Sequence, residues 1–285
     1  MIKLDPNVVL AAREGNRAAL EEIARCAQRP VFNLAMRMLA NRSDAEDATQ
    51  EILVKIITHL GTVQDVGAAG GWALKVASRH LVRERRRGQL ESMRLEFNDF
   101  AEDLADGAVS SNESGLSEPE FALAVNEVKI GCTLAMLVCL SRDLRIAYIL
   151  GEIFELSDTE ASSALEISAA AFRQRLRRAR DKVTGFVSQT CGIAGAIGAC
   201  HCERRVVPAL KQGRIGCPEA KKLSAARAPV DINTLRRQVQ SLEGSRRSAG
   251  LMRTNPDFSS GMGELVARVL DELREPGPQR PRAQH

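Results

Sequence analysis

The chain has 285 residues, of which 44% are hydrophobic but only 4% aromatic, and its formal net charge is +4. So few aromatic residues argue against a β-sandwich or barrel core, whereas the abundant alanine, leucine, arginine and glutamate favour helices. The first residues lack the pattern of a secretion signal, and no apolar segment approaches the length that spans a bilayer, so we expect a cytoplasmic protein without membrane insertion.

The first third of the chain has the spacing of amphipathic helices. Apolar residues recur three and four positions apart over residues 6–40, which predicts two helices with a break near Gly15. A third helix is predicted in SDAEDATQEILVKIITHLG, where Ser43 is the expected N-cap and Glu46 completes a capping box. Gly61 is expected to end this helix in a left-handed turn.

A fourth helix and an acidic segment follow. After a glycine-rich loop, the helix should run from about Trp72 to Arg87. From Glu91 to Glu120 there are nine acidic residues against one basic residue. Because such a composition buries too little apolar surface to offset chain entropy, we expect a flexible acidic linker over residues 91–120 between two domains, residues 1–90 and 121–190.

The second domain is also predicted to be helical. One helix should run from about Pro119 to Leu140, and Ser141 is placed to cap the next. The sequence SDTE at residues 157–160 repeats the capping-box pattern, and Ser168 should cap a long helix soon afterwards. Two helices separated by so short a turn predict a helix-turn-helix.

The last helix of this pair contains FRQRLRRARDK, which has six cationic side chains in eleven positions. Phe172 and Leu176 begin an apolar side that packs on the domain. The other side can offer base-edge and phosphate contacts in a DNA major groove, although a solvated basic face is the alternative reading. In the preceding turn, Glu166 stands where many such turns have glycine, at a cost of about 1 kcal/mol if its backbone is left-handed.

An extension over residues 191–285 begins with a cluster of possible ligands. Five soft-ligand side chains occupy 27 positions: Cys191, Cys200, His201, Cys202 and Cys217. Thiolates bind zinc or another soft metal, and the neighbouring Arg204 and Arg205 can lower thiol pKa values and favour redox reactivity. A helical docking surface with incidental cysteines is the competing interpretation, and both stay open.

The other parts of the extension give weaker signals. Short helices are predicted over about residues 231–243 and 262–274, followed by a disordered basic end. The remaining cysteines lie on apolar helical faces and are interpreted as small core residues: Cys26, Cys132 and Cys139.

Three ordered blocks resemble a known family. SDAEDATQEILVKIITHL, GGWALKVASRHLVRERRR and LSRDLRIAYILGEIFELSDTEASSALEISAAAFRQRLRRARDKV together resemble bacterial RNA polymerase sigma factors of the extracytoplasmic-function (ECF) group, over about residues 5–190. The resemblance implies an all-α fold, in which an N-terminal sigma domain and a C-terminal helix-turn-helix sigma domain form two small helical bundles. A flexible acidic linker joins them, and the extension is expected to be mostly helical.

The resemblance also implies roles for particular residues. Contact with the polymerase clamp helices would fall to Asp44, Glu46, Asp47, Gln50 and Glu51. The minus-ten promoter element would be bound by Trp72, Lys75, Arg79, His80 and Arg83, although the family usually has asparagine where His80 stands. The minus-thirty-five element would be bound by Ser168, Arg173, Gln174, Arg175, Arg177 and Arg178.

The implied partners are core RNA polymerase and promoter DNA, and the implied role is promoter choice and melting without catalysis by this chain. No cofactor is required by that role. The extension is similar to a tail found on some ECF sigma factors, and we expect it to regulate the sigma core, with or without a separate anti-sigma protein. A helix-turn-helix regulator that never joins polymerase and a thiol or metal enzyme are the alternatives.

Overall fold

A computed structural model describes residues 2–83, 95–105, 114–195, 198–216 and 231–258, together with Val266 and Val269. Among these residues every regular element is helical apart from one isolated β-bridge between Cys191 and Cys200. The predicted all-α class is therefore confirmed.

The first bundle contains four helices, α1 (Pro6–Arg13), α2 (Arg17–Leu39), α3 (Arg42–Thr58) and α4 (Ala69–Arg83). The predicted break between α1 and α2 is confirmed, since Gly15 has a φ of 85° and Asn16 caps α2. The predicted continuation of α4 to Arg87 falls outside the described residues.

Two details at the ends of α3 differ from the prediction. Asn41, not Ser43, is the N-cap, and its Oδ1 accepts a hydrogen bond from the backbone N–H of Asp44 at 3.0 Å. Asparagine caps as well as serine, so the earlier of two competent residues starts the helix. The helix ends at Thr58, and Gly61 lies in a 3₁₀ turn without a positive φ.

The second bundle contains α6 (Glu118–Val138), α7 (Arg142–Tyr148), α8 (Asp158–Leu165) and α9 (Ala169–Thr190), and a π-helical turn over Ile149–Ile153 extends α7. The capping box at the start of α8 is present, and the Ser168 hydroxyl accepts the Ala171 N–H at 3.1 Å. The predicted helix-turn-helix is therefore formed by α8 and α9.

Part of the predicted flexible linker is a helix, α5 (Phe97–Ala105). Phe97 and Phe100 lie one turn apart and pack on Phe186 of α9, with ring centroids 5.1 and 5.3 Å away. The acidic composition masked this apolar stripe, which stabilises the segment against α9.

The described extension contains α10 (Val206–Lys211), α11 (Ile232–Gln240) and α12 (Arg246–Arg253). Helix α11 confirms the first predicted helix of this region, whereas α12 was missed. The second predicted helix, over residues 262–274, lies outside the described residues except for Val266 and Val269, which are helical.

The two bundles pack together around one continuous apolar core. Arg145 of α7 is 1% exposed and donates hydrogen bonds to the carbonyl oxygens of Leu137, Val138 and Leu140. It also donates to the carbonyl oxygen of Met38 in α2. One buried guanidinium thus satisfies backbone acceptors of both bundles and joins them.

Helix α6 is the one helix among the described residues that is long and apolar enough to cross a membrane, with a mean hydropathy of 1.6 over its most apolar window. Most of that window (61%) is buried inside the protein, as in the core helix of a folded domain.

Candidate nucleic-acid and protein interfaces

The acidic residues of α3 form a face turned away from the core. Asp47 and Glu51 are exposed, and the other predicted polymerase-binding residues, Asp44, Glu46 and Gln50, are half-buried. Glu46 pairs with Arg42 one turn earlier at 2.9 Å. Since the buried side of α3 is supplied by isoleucine and leucine residues, the acidic face is available to a protein partner.

A cleft of about 680 Å³ lies between α3 and α4. It is lined by Trp72, His80 and Arg83 of α4, which were predicted to bind the minus-ten element, and by Glu51 and Lys55 of α3. The Lys55 Nζ lies 2.6 Å from the His80 Nδ1. A half-buried indole beside several cationic side chains suits a nucleobase with its phosphate.

Lys75 and Arg79, also predicted to bind the minus-ten element, meet the turn between α8 and α9. The Lys75 Nζ and the Arg79 Nε each lie 2.9 Å from a carboxylate oxygen of Glu166. Hydrogen bonds from Arg79 and Lys75 lower the pKa of Glu166 to about 2. The sequence did not predict this contact, although Glu166 stands where many such turns have glycine.

The predicted recognition helix α9 has the expected division of faces. Phe172, Leu176, Ala179 and Val183 are buried. The exposed residues of the opposite face are Arg173, Gln174, Arg177 and Arg178. Arg175 differs from them, since it is half-buried and pairs with Asp143 of α7 at 3.0 Å. The helix α9 therefore packs on the domain through its apolar side and exposes a compact row of cations on the opposite side.

The first two cysteines of the extension are held side by side. The Gly192 N–H donates to the Cys200 carbonyl oxygen at 2.8 Å, and the Cys200 N–H donates to the Thr190 carbonyl oxygen at 3.1 Å. A Cβ on Gly195 would lie 2.4–2.9 Å from three backbone oxygens, and one on Gly198 would lie 2.5 Å from the Cys191 backbone. The glycines of this loop therefore permit the close approach.

The thiols of this region form a larger group than the sequence predicted. The lower thiol pKa values expected from Arg204 and Arg205 are not found: burial raises the pKa of Cys200 to about 11 and outweighs the opposing effect of Arg205, and burial also raises the pKa of Cys202. Burial raises the pKa of Cys132 on α6 too, reinforced by the thiols of Cys202, Cys191 and Cys200. Cys132, interpreted from the sequence as a core residue, is thus a neighbour of the extension thiols, which no spacing rule could have shown.

The predicted metal ligands are only partly brought together. Within the described ranges, no group of three or more histidine, cysteine or acidic side chains is arranged to hold a metal. The His201 Nδ1 lies 3.0 Å from an Arg236 nitrogen, and Cys217 falls outside the described residues.

Residues 253–258, which begin with the last residue of α12, contact the first bundle through Phe258. The Asn33 side chain of α2 accepts the Phe258 N–H at 2.9 Å and donates to the Phe258 carbonyl oxygen at 3.2 Å. The Phe258 ring is 1% exposed, and the Arg37 guanidinium lies 4.9 Å from its centroid.

The same segment contacts the second bundle through polar side chains. Arg253 pairs with Glu155 at 2.7 Å and donates to the Glu152 carbonyl oxygen at 2.6 Å. Asn255 donates to the Thr133 hydroxyl of α6 at 2.7 Å. Residues 253–258 therefore bind both bundles, through contacts between residues about a hundred or more positions apart, which the sequence alone does not show.

Comparison with known proteins identifies relatives over about three fifths of the chain. Residues 23–91 match the family model described as Sigma-70 region 2. The RNA polymerase sigma-H factor of Pseudomonas aeruginosa is 26% identical over 183 residues, which cover 63% of this chain and 91% of that protein. ECF RNA polymerase sigma factor SigE of Mycolicibacterium smegmatis is 26% identical over 183 residues, which cover 61% of this chain and 65% of that protein.

A third similar protein is also a sigma factor. ECF RNA polymerase sigma factor SigC of Mycobacterium tuberculosis is 27% identical over 174 residues, which cover 61% of this chain and 86% of that protein. Taken with the all-helical fold, the Sigma-70 region 2 match and the similarity to these sigma factors support an RNA polymerase sigma factor of the ECF type.

Proposed function

We propose that this chain binds core RNA polymerase in the bacterial cytoplasm and directs it to promoters, without a catalytic step of its own. The observation that carries the proposal is the order of three surfaces along one chain: the acidic face of α3, the cleft between α3 and α4, and the basic face of α9. A regulator that only binds operators needs the third surface and leaves the first two without a partner.

We assign promoter melting to the cleft between α3 and α4. A base extruded from the duplex can stack on Trp72 while Arg83 and Lys55 neutralise the adjoining phosphates. The polar rim and the half-buried indole support this assignment. Binding to one unpaired strand stabilises the open duplex, because the closed duplex cannot present that base.

We assign recognition of the upstream promoter element to α9. Arginine pairs well with guanine edges in the major groove, and each phosphate contact releases counterions and makes the affinity salt-dependent. Arg177 and Arg178 are adjacent and exposed, so they are placed to contribute to both kinds of contact.

Run-off transcription with core enzyme on a library of genomic fragments tests the proposal. The purified chain should associate with core enzyme and generate discrete start sites. Arg178→Ala should weaken promoter binding about 10-fold and reduce the salt dependence by about one phosphate contact. Arg25→Ala, which removes an exposed arginine of α2 that pairs with Glu22, is the matched control and should leave both unchanged.

Two results would contradict the proposal. Failure to associate with core enzyme and to specify any start site would exclude a sigma function. Specific DNA binding without association with core enzyme would instead favour an operator-binding regulator.

We further propose that the extension regulates the sigma core through residues 253–258, which hold the two bundles in one fixed arrangement. Because promoter elements are read simultaneously by both bundles, a fixed spacing that does not match the promoter suppresses initiation. Arg253→Ala removes the ion pair with Glu155 and should raise run-off transcription several-fold. Arg29→Ala, which removes an exposed ion pair with Asp257, should change it less than twofold.

The thiols of the extension are proposed as the element that senses a signal. The backbone pairing of Cys191 with Cys200 favours a disulfide, formed when hydrogen peroxide oxidises the two thiols and is reduced to two water molecules. Zinc or another soft metal would need a further ligand from outside the described residues, such as Cys217.

Peroxide treatment followed by mass spectrometry, together with metal analysis after incubation with zinc, separates these alternatives. Oxidation should remove the mass of two hydrogens from the peptide that spans residues 183–204. Cys191→Ser should abolish this change and Cys202→Ser should retain it. Stoichiometric zinc with no disulfide would identify metal binding. If neither bound zinc nor a disulfide were found, the extension would be a docking surface with incidental cysteines.

A further inference from the structure

Glu166 occupies an unfavourable backbone position for its residue type. It is the left-handed C-cap of α8, with φ 56° and ψ 42°, in the turn of the helix-turn-helix. A left-handed backbone disfavours any residue with a Cβ and is the usual place for glycine. Because a glutamate at this position costs conformational free energy, we expect its side chain to make a compensating contact.

The Glu166 carboxylate is bound by two cations from the other bundle. The Lys75 Nζ lies 2.9 Å from one oxygen and the Arg79 Nε lies 2.9 Å from the other. Both cations come from α4, which packs on α8, and about half of each side chain is exposed. Both are among the residues to which the resemblance to ECF sigma factors gives the minus-ten promoter element.

Glu166 and Arg79 lie together at the edge of a crevice of about 230 Å³ between the bundles. The other charged residues that line it are Arg83, Asp143 and Arg175, and the last two pair with each other. The carboxylate of Glu166 is therefore the anion available to Lys75 and Arg79 within this crevice.

We propose that Glu166 competes with DNA phosphates for Lys75 and Arg79 and so holds the free protein in a closed, autoinhibited state. In this state the turn of the helix-turn-helix covers part of the α4 surface that binds DNA. Opening exchanges one carboxylate for several phosphates and uncovers the part of the α4 surface that the turn occupies. The inference rests on the proposed function and adds an inhibitory role within the sigma core itself.

The strength of this contact suits a reversible block. Partly exposed ion pairs are individually weak and are screened by salt, so a single carboxylate suppresses weak nonspecific contacts. A promoter presents a row of phosphates at high local density, and these phosphates displace the Glu166 carboxylate from Lys75 and Arg79. The apparent affinity for DNA is lowered by the fraction of molecules that are closed.

Binding of the full-length chain to a fluorescein-labelled single-stranded oligonucleotide tests the proposal. Glu166→Gln and Glu166→Gly should each bind about 3- to 10-fold more tightly than the unmodified chain at low salt, and the difference should shrink at high salt. Glycine also relieves the left-handed backbone, so this variant separates loss of the carboxylate from damage to the turn.

Glu21→Gln is the matched control, because it makes the same charge change and also frees an arginine, Arg17, from an exposed pair. It should raise the affinity less than twofold. Equal affinities for the Glu166 and Glu21 variants would overturn the block by Glu166. If no variant bound the oligonucleotide or core enzyme at all, the proposed sigma function would fail instead, so the two failures are distinguishable.

Discussion

Replacing Phe258 by alanine should release the extension from the first bundle. The ring is 1% exposed, and burial of a phenylalanine side chain contributes about 1.5–3 kcal/mol. The Arg37 guanidinium, 4.9 Å from the ring centroid, adds about 0.5–1 kcal/mol. The docking free energy of residues 253–258 should therefore fall by about 2–4 kcal/mol, which shifts the docked-to-undocked ratio about 30- to 700-fold.

Hydrogen exchange of the full-length chain measures this shift. The Phe258 N–H is bonded to Asn33, so its protection reports docking directly. In Phe258→Ala, exchange over residues 254–258 should accelerate by that factor while the core of α2 stays protected. Asp257→Asn, which removes an exposed ion pair with Arg29, should accelerate it less than about 5-fold. Equal effects of the two substitutions, or equal acceleration in the core of α2, would refute this reasoning.

Three further outcomes are expected. Gly195→Ala should expose the extension thiols to a thiol reagent, because the added Cβ would clash with three backbone oxygens. Gly185→Ala, where the added Cβ meets no atom within 4 Å, should leave the reactivity of the thiols unchanged. It should also stabilise α9 by about 0.5–1 kcal/mol, measured by urea unfolding. Hydrogen bonds from Arg214 lower the pKa of Asp103 in the folded chain. The ionised Asp103 therefore stabilises the fold above its unfolded-state pKa, and this stabilisation is lost as the pH falls through its folded-state pKa. Asp103→Asn should therefore destabilise the chain by about 1 kcal/mol at neutral pH and by progressively less as the pH falls through the folded pKa of Asp103; a difference that stays constant in acid would contradict this. Since burial raises the pKa of Cys200 to about 11, its alkylation by iodoacetamide at pH 8 should be about 100-fold slower in the folded than in the unfolded chain, and equal rates would disprove the burial.

The features that the sequence predicted well depend on interactions within one turn. The capping box of Ser157 and Glu160, the cap at Ser168 and the break at Gly15 all involve residues at most four positions apart. Such interactions follow from local chemistry and survive in any tertiary setting. The N-cap of α3 was misplaced because Asn41 and Ser43 are equally competent, and local rules do not rank them.

The features that the sequence missed are pairings between distant residues. Helix α5 is stabilised by Phe186, more than eighty residues away, and its apolar stripe was outweighed by an acidic composition. Glu166 was noted as unusual, but its cationic partners lie on another bundle. Only the packed structure relates Cys132 to the extension thiols, because helical periodicity assigns a side chain to a face without identifying what covers it.

Glu152 links the extension to the DNA-reading helix. Its side chain is 7% exposed and lies on the π-helical turn after α7, where it pairs with Arg180 of α9 and lies 4.0 Å from the Arg253 guanidinium. A buried carboxylate must keep a cationic partner, because leaving it unpaired costs several kcal/mol. When residues 253–258 undock, Arg253 leaves and Arg180 becomes the remaining partner, so its hold on Glu152 strengthens. Release of the extension therefore removes one of the links between the bundles, beside that of Arg145, while α9 stays fixed to the turn after α7.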